Sequence, residues 1–319
     1  MNFQYVIGVD MGGTNTAVGI VDTRGNILCR TQIQTTEYTT GEAYAEALGE
    51  AINRLIADNG LTDKIKGIGM GTPSGNMNDG TIAPAANIPW AKNQAVPMAK
   101  LLTDITGLPC RLTNDANAAA LGEKEYGSAK GMRDFIVITL GTGVGSGIVA
   151  GGELVVGHDG FAGELGHVRV VRHNGRACGC GRSGCLETYA SATGVARTAR
   201  EFLERHPEQP SVLRDITTRP ISSKDVFEAA EKNDALALEV FDFTGKILGD
   251  ALCDFIAFSS PQAVILFGGL AHAGKYLLPP LKEEMEKHIL YIYKGKTQIL
   301  ISSLNDAEAA ILGASALAW

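Results

Sequence analysis

The chain has 319 residues, of which 45% are hydrophobic and 20% are charged, so wholesale disorder is excluded and two domains are favoured over one. Its net charge of −7 argues against nucleic acid or an anionic membrane as the main partner. The first residues show no basic segment followed by a long apolar run, and no apolar run approaches the ~20 residues that span a bilayer. We therefore expect a cytoplasmic protein with no secretory signal, whose six cysteines are reduced.

The chain opens on a pattern that is typical of three short strands, at residues 5–10, 17–22 and 26–33, with turn residues between them. Apolar residues at helical spacing from residue 43 to residue 56 then predict an amphipathic helix. The rest of this half is predicted as a strand over 65–71, an irregular loop over 72–90, a helix near 94–106, a strand near 108–112 and a helix near 116–126.

The second half begins with the same pattern. Residues 134–141, 145–151 and 153–157 are predicted strands joined by glycine turns, which indicates a weak internal repeat of the opening. The later elements are predicted as helices near 191–206, 223–232 and 236–258, a surface excursion over 207–220, a strand over 262–269, a helix near 274–290, a strand near 298–302 and a helix over 306–318. Strands that alternate with helices predict α/β layers.

The first glycine turn, 8-GVDMGGTN-15, combines an acid at a strand end with two glycines and a hydroxyl. Small residues let backbone N–H groups approach phosphate oxygens, and Asp10 suits such a site only when Mg²⁺ is present. Taken alone, such a segment is more often an ordinary hairpin turn. A second turn, 141-GTGVG-145, and the pair Gly268 and Gly269 at another strand end favour a site for a triphosphate and a flat ring.

Two other glycine motifs do not fit the sites that they resemble. Residues 295–297, Gly-Lys-Thr, lack the first glycine of a P-loop, because position 290 is Leu. Residues 145–150 match a dinucleotide-binding pattern, but a hairpin is predicted after them where that pattern needs a helix. We therefore expect no nicotinamide site.

Three cysteines, Cys178, Cys180 and Cys185, crowd into one glycine-rich loop. In a reducing compartment this spacing favours a metal over disulfides, and soft thiolates select zinc. A tetrahedral site needs a fourth ligand: His167 is the nearest upstream histidine that follows a glycine, and His158 and His173 are the alternatives. Three thiolates and one imidazole close the coordination shell, so such a zinc would be structural.

Two glutamates flank the cysteine loop. Glu164 lies three residues before His167, and Glu187 lies two residues after Cys185. A metal that fixes both segments would hold both carboxylates against one ligand, and carboxylates that accept from several hydroxyls suggest a sugar. Either glutamate alone is more often an exposed surface residue.

A candidate base lies where a predicted strand meets an alanine-rich helix. Asp115 would serve as general base toward a hydroxyl there, with Asn114 donating to a neighbouring oxygen. The alternative is a helix cap, which is the common use of Asp or Asn before such a helix.

Five segments together resemble the ROK family, and closely its glucokinase-type sugar kinases. They are 10-DMGGTN-15, 114-NDAN-117, 140-LGTGVGSGIVAGG-152, 163-GELGH-167 and 178-CGCGRSGCLE-187. They follow the family's order through nearly the whole chain, and the pairing of ELGH with the cysteine loop is highly specific to it.

The resemblance implies an α/β fold of the actin-like ATPase (ribonuclease H-like) type, with two α/β domains that flank an active-site cleft. We expect the first domain to comprise residues 1–113 with 303–319, and the second to comprise residues 114–302 with the cysteine loop. The resemblance also implies phosphorylation of a hexose at its 6-hydroxyl, with ATP, Mg²⁺ and a structural Zn²⁺, in a homodimer or homotetramer. The partners it implies are small molecules, the sugar and ATP, whereas no nucleic acid and no membrane are expected from the net charge and the lack of a long apolar run.

Residue by residue, the resemblance assigns Asp115 as the catalytic base. The positions that match sugar contacts are Gly75, Asn87, Asn114, Asp115, Glu164, His167 and Glu187. The positions that match phosphate and nucleotide contacts are Asp10, Gly12, Gly13, Thr14, Asn15, Thr142, Gly143, Gly268 and Gly269. The positions that match zinc ligands are His167, Cys178, Cys180 and Cys185.

The chain also departs from the family's pattern. Ser74 stands where glycine is frequent in the loop that contacts sugar, and Asn15 stands where many relatives have Lys. The first predicted strand begins by residue 5, so we expect no DNA-binding segment of the kind that precedes the family's repressors. Glucokinase is the predicted activity. The alternatives are a kinase for mannose, fructose, allose or an N-acetylhexosamine, and a sugar-sensing regulator without catalysis.

Overall fold

This computed structural model describes residues 3–85 and 88–319, and of residues 306 and 307 the backbone alone. The chain divides into two compact units. Unit 1 comprises Met1–Met132, Gly147–Gly163 and Ser303–Trp319, and unit 2 comprises Arg133–Ser146 and Glu164–Ser302.

The described elements agree closely with those expected from the sequence. The strands are β1 (Tyr5–Met11), β2 (Asn15–Asp22), β3 (Ile27–Gln34), β4 (Ile65–Gly71), β5 (Gly75–Asn76), β6 (Thr81–Ile82), β7 (Cys110–Thr113), β8 (Phe135–Leu140), β9 (Val144–Ala150), β10 (Glu153–Leu154), β11 (Ala263–Phe267) and β12 (Gln298–Ile301). The helices are α1 (Gly41–Asp58), α2 (Met98–Thr106), α3 (Asp115–Glu125), α4 (Glu187–Ala190), α5 (Ala192–Arg205), α6 (Ser223–Glu231), α7 (Ala235–Ser259), α8 (Gly274–His288) and α9 (Asp306–Ser315), with short 3-10 helices between them.

Unit 1 is built on a sheet in the order β3-β2-β1-β4-β7. β1, β2 and β3 pair antiparallel, whereas β4 and β7 run parallel to β1. One face of the sheet packs on α1 and α2 through buried residues such as Val9, Tyr44 and Leu102. On the other face α9 lies directly on the strands, because a Cβ on Gly8 would be only 2.2 Å from the Ile311 carbonyl oxygen.

The second sheet has the order β10-β9-β8-β11-β12, which repeats the order of the first sheet strand for strand. Within unit 2, β11 runs parallel to both β8 and β12. The internal repeat predicted from the two glycine-turn openings is thereby confirmed, because both sheets place their first strand in the middle and their first hairpin at one side.

Some element boundaries differ from the predicted ones. α2 begins at Met98 and not near residue 94, because Pro97 precedes it and Val96 pairs with Ile82 across a β-bridge. β10 ends at Leu154, three residues earlier than predicted. The one-turn helix α4 was not predicted, because four residues are too few to show a period.

The two units also have other bounds than the predicted domains. Residues 114–132 and 147–163 belong to unit 1, whereas the predicted boundary assigned them to the second domain. α3 packs on α9 so closely that a Cβ on Gly122 would lie 2.9 Å from the Gly313 Cα, which explains why α3 stays with the first unit. Across the part of the chain that the structure describes, no helix is both long and apolar enough to cross a membrane.

Candidate functional site

Three parallel strands of unit 1 end at one edge of its sheet. In register, Asp10 of β1 pairs with Gly71 of β4, and Gly71 pairs with Thr113 of β7. Neighbouring strands lie ~4.8 Å apart, so these three positions form a row. The hairpin after β1, the loop after β4 and the start of α3 therefore all leave the sheet at its carboxyl edge, where open α/β sheets bind their ligands.

The electrostatics of this edge centre on Asp10. Desolvation by burial, and after it the negative charge of Asp115, raises the pKa of Asp10 from 3.8 to about 6. A carboxylate whose charged form is disfavoured by burial and by a second carboxylate fits a divalent cation, because oxygen ligands are those that Mg²⁺ prefers. The donor set at this edge is therefore suited to Mg²⁺.

The first glycine turn is a hairpin fixed from behind. The Gly12 N–H donates to the Asn15 carbonyl oxygen at 2.9 Å, which closes the turn. The buried Thr35 donates its hydroxyl to the Gly12 carbonyl at 2.9 Å and its N–H to the Thr14 carbonyl at 2.8 Å. Gly12 and Gly13 are half-buried, whereas Thr14 and Asn15 are exposed. The turn thus presents backbone and one hydroxyl outward on a rigid support, which suits an anion.

Asn114 and Asp115 divide the tasks at the start of α3. The Asn114 side-chain oxygen accepts from the Asn117 N–H at 2.7 Å, so Asn114 caps the helix. The exposed Asp115 accepts from the Ala116 N–H at 2.9 Å through one carboxylate oxygen. Because Asn114 performs the capping, Asp115 remains available to a ligand.

The loop after β4 packs tightly on the strand end that carries this pair. A Cβ on Gly75 would lie 2.5 Å from the Thr113 carbonyl oxygen, so only glycine fits there. Ser74 adopts φ 55°, in the left-handed region that glycine favours, so a glycine would also fit this position. Asn87, the other residue predicted in this loop, lies outside the described residues.

In unit 2 the second glycine turn contacts the segment that follows the cysteines. The Ala192 N–H donates to the Gly141 carbonyl at 2.8 Å, and the Thr193 hydroxyl donates to the Thr142 carbonyl at 2.8 Å. The Val144 N–H donates to the Glu187 carboxylate at 3.0 Å. The turn is therefore held by the residues at and after α4.

The predicted ligand set gathers in one cluster in unit 2. Ligand atoms of His167, Cys178, Cys180 and Cys185 all lie within 4.8 Å of one another. Cys178 Sγ lies 3.7 Å from His167 Nδ1, and Cys180 Sγ lies 3.7 Å from Cys185 Sγ. A tetrahedron with metal–sulfur arms of about 2.3 Å has edges of about 3.8 Å, so the four side chains fit a closed metal site. Of the three histidines considered for the fourth ligand, His167 is the one that lies in this cluster.

The two predicted glutamates lie on either side of this cluster. Glu164 places a carboxylate oxygen 3.9 Å from His167 Nε2 and has 57% of its side chain exposed. Glu187 is half-buried, with one oxygen 3.7 Å from Cys178 Sγ and the other on the Val144 N–H. Both carboxylates therefore lie beside this cluster of candidate metal ligands, and of the two only Glu164 is largely exposed.

The third glycine motif ends β11, next to the strand that leads into the second turn. Gly268 has φ 96°, and a Cβ there would lie 3.1 Å from the Leu140 carbonyl oxygen. Gly269 lines a cavity of about 290 Å³ together with Phe227 and Leu270, among others. The cavity combines apolar side chains such as Phe227 and Leu270 with the polar Lys224, a lining suited to a flat ring that carries polar groups.

Sequence reasoning missed Arg176. Its side chain is 7% exposed, and its guanidinium contacts Glu201 at 2.6 Å, the Thr188 carbonyl at 2.8 Å and the Tyr189 ring at 4.5 Å from the ring centroid. Arg176 thereby ties the start of the cysteine loop to α4 and α5. A single charge two residues before Cys178 gives no periodic signal, so only its closeness to the cysteine motif could have marked it.

Each unit thus carries one part of the predicted site. The acids and the first turn lie in unit 1, and the candidate metal ligands, the two glutamates and the other glycine turns lie in unit 2. Two sheets of one strand order, each with a glycine turn after its first strand, define the actin-like ATPase fold. More narrowly, the chain belongs to the ROK family, whose model matches residues 6–319.

Known proteins similar to this chain cover nearly all of it. A glucokinase of Halalkalibacterium halodurans is 37% identical over 315 residues, which span 98% of this chain and 94% of the relative. A glucokinase of Thermotoga maritima is 36% identical over 319 residues, which span 98% and 96% respectively. A solved ROK family glucokinase from Streptomyces griseus, in complex with glucose and AMPPNP, is 34% identical, with a TM-score of 0.77 over 98% of each chain.

Proposed function

We propose that this protein is an ATP-dependent glucokinase, which transfers the γ-phosphoryl group of ATP to the 6-hydroxyl of glucose. The observation that carries the proposal is the similarity to a glucokinase over 98% of the chain. The geometry of unit 1 supports it, because a base candidate, an acid suited to Mg²⁺ and a rigid glycine turn share one sheet edge.

In the proposed reaction Asp115 accepts the proton of the attacking hydroxyl as the phosphoryl group transfers. The helix cap uses only the side-chain oxygen of Asn114, so its side-chain nitrogen is proposed to donate to a neighbouring sugar oxygen. Further sugar contacts are proposed for Gly75 and Asn87 in unit 1, and for Glu164, His167 and Glu187 in unit 2. Catalysis of this type depends mostly on positioning and on electrostatic stabilisation of the transferred group.

The nucleotide is proposed to lie along the glycine turns. Gly12, Gly13, Thr14 and Asn15 would contact phosphates in unit 1, as would Thr142 and Gly143 in unit 2. Gly268 and Gly269, with the cavity beside Gly269, would bind the adenine ring of ATP. Asp10 would hold Mg²⁺, which neutralises phosphate charge when it is bound.

The metal cluster is proposed to hold structural zinc. His167, Cys178, Cys180 and Cys185 supply the soft donors that zinc prefers, and together they leave no open coordination position. Burial raises the pKa of the Cys178 thiol to about 12, and a bound cation would reverse this preference because a coordinating thiol loses its proton. The cluster would then fix the two segments that carry Glu164 and Glu187.

An assay of ADP release over a panel of sugars tests the activity. We expect release to depend on sugar, with the highest kcat/KM for glucose among glucose, mannose, fructose, allose and N-acetylhexosamines. Preference for another hexose would correct the substrate, and no sugar-dependent release would overturn the kinase in favour of a sugar-sensing protein.

The Asp115→Asn variant tests the base. We expect glucose affinity within about twofold of the wild type and kcat lower by at least about a hundredfold, since a general base contributes ~10²–10⁴-fold. Asp63→Asn, at an exposed position of unit 1, is the matched control and should keep its kcat. A near-normal kcat for Asp115→Asn would refute the assignment.

The homodimer or homotetramer and the cytoplasmic location remain predictions that rest on the family resemblance and on composition. Light scattering of the purified protein and cell fractionation test them.

A further inference from the structure

The second glycine turn and the sugar-binding set meet at one carboxylate. The Val144 N–H donates to Glu187 Oε2 at 3.0 Å, and a Cβ built on Gly143 would lie 2.3 Å from that same oxygen. We infer that Gly143 is a positioning residue for sugar binding: its missing side chain leaves the space in which the Glu187 carboxylate sits. This inference rests on the glucokinase activity proposed above.

The backbone conformation does not by itself require glycine at position 143. Gly143 is not among the described glycines with positive φ, so another residue could adopt its conformation. The nearest heavy atoms that a Cβ would meet all belong to Glu187: Oε2 at 2.3 Å, Cδ at 3.2 Å and Cγ at 3.9 Å. Within unit 2, the space that glycine leaves free is therefore the space that Glu187 occupies.

The clash introduced by a side chain would be relieved by the carboxylate and not by the backbone. The turn and the segment after the cysteines are held together independently, through Ala192 N–H on the Gly141 carbonyl and Thr193 Oγ1 on the Thr142 carbonyl. The Glu187 carboxylate is the far end of a flexible side chain. A methyl group at position 143 should thus move this carboxylate off the Val144 N–H while the fold stays intact.

A consequence is that a residue assigned to ATP phosphates controls the affinity for sugar when no nucleotide is present. The Glu187 carboxylate would be displaced from the orientation in which it accepts from a sugar hydroxyl. Loss of one hydrogen bond to a charged group corresponds to about a tenfold change in affinity or more.

The test is calorimetric titration of glucose without nucleotide into the full-length zinc-loaded protein. We expect Gly143→Ala to bind glucose at least about tenfold more weakly than the wild type. Gly141→Ala is the matched control in the same turn, because a Cβ there meets no described atom within 4 Å, and its glucose affinity should be unchanged. Equal glucose affinity for Gly143→Ala and the wild type would overturn the inference, whereas failure of the wild type to bind glucose would overturn the proposed function instead.

A second variant keeps the inference testable if Gly143→Ala does not fold. In Glu187→Asp the side chain is one methylene shorter and should lose the hydrogen bond from the Val144 N–H, next to the turn proposed to contact phosphates. We therefore expect KM for ATP to rise severalfold along with KM for glucose. Glu164→Asp, which changes a carboxylate on the other side of the cluster, should raise KM for glucose alone. An unchanged KM for ATP in Glu187→Asp, with zinc content and Tm like those of the wild type, would refute the coupling.

The two positions should also depend on each other. In the Glu187→Asp background the shortened carboxylate no longer fills the space beside residue 143, so adding Gly143→Ala should change glucose affinity by less than about twofold. Full additivity of the two changes would contradict a contact between them.

Discussion

Replacing Asp10 by Asn should make the protein more stable and inactive. Burial, and after it the charge of Asp115, raises the pKa of the Asp10 carboxyl from 3.8 to about 6. Because the folded state holds this proton more tightly than the unfolded chain, ionisation of Asp10 lowers the free energy of unfolding. The penalty is absent well below pH 3.8, grows as the pH rises, and is complete above about pH 6.

The loss in free energy of unfolding that the ionisation of Asp10 causes is calculated from the shift of its pKa. About two pKa units at 1.36 kcal/mol each correspond to roughly 3 kcal/mol at pH 8, and to roughly half of that at pH 5, where Asp10 is still mostly protonated in the folded state. An asparagine has nearly the same shape and carries no charge at either pH. Asp10→Asn should therefore raise the free energy of unfolding by these amounts.

Urea unfolding of the wild type and Asp10→Asn, each at pH 8 and pH 5 without nucleotide or Mg²⁺, measures the gain. Asp63→Asn, at an exposed position, is the control and should change stability by less than about 0.5 kcal/mol at both pH values. No gain for Asp10→Asn, or an equal gain at both pH values, would refute the electrostatic explanation.

The same substitution should abolish turnover. If Asp10 holds Mg²⁺ as proposed, kcat should fall by at least about a hundredfold, and no excess of Mg²⁺ should restore it. In the wild type, the apparent affinity for Mg²⁺ should weaken as the pH is lowered through about 6, because protonation of Asp10 competes with the cation. A variant with both higher stability and normal turnover would place Asp10 outside the active site.

Two further predictions concern the cysteine loop and the loop after β4. Cys180→Ala should lose bound zinc, measured by elemental analysis, and should bind glucose at least about tenfold more weakly; unchanged glucose affinity in the zinc-free variant would contradict the bracing role of the metal. Ser74→Gly should raise the free energy of unfolding by about 1 kcal/mol, because glycine adopts φ 55° without the strain that serine carries there; a loss of stability in urea unfolding would show that the serine side chain contributes more than its strain costs.

Much of the fold was predictable because its signals are local. The strands around the two glycine turns alternate with turn residues, and long helices such as α1 and α7 show a clear apolar period. The unit boundaries were not predictable in the same way. α3 belongs to unit 1 because Gly122 meets Gly313 of α9, a contact between residues far apart in the sequence.

The candidate site likewise has parts that local sequence patterns predict and parts that depend on contacts between distant segments. The cysteine spacing predicted a metal cluster, and the structure gathers its ligand atoms. Spacing alone left three histidines as candidates for the fourth position, and the family resemblance singled out His167. The contact of Glu187 with Gly143, and the burial of Arg176 against Tyr189, depend on how separate segments pack, so no pattern within one segment predicts them.

The position of α9 has a consequence for how the protein is made. Strands β1 and β2 are covered by Ile311 and its neighbours, which the ribosome synthesises only after all of unit 2. All residues of unit 2 from Glu164 onward are synthesised between these strands and α9, so the strands lack their last helix throughout that time. Nascent chains therefore expose one apolar face of that sheet until α9 has been synthesised, and during this interval chaperone binding would protect the sheet from aggregation.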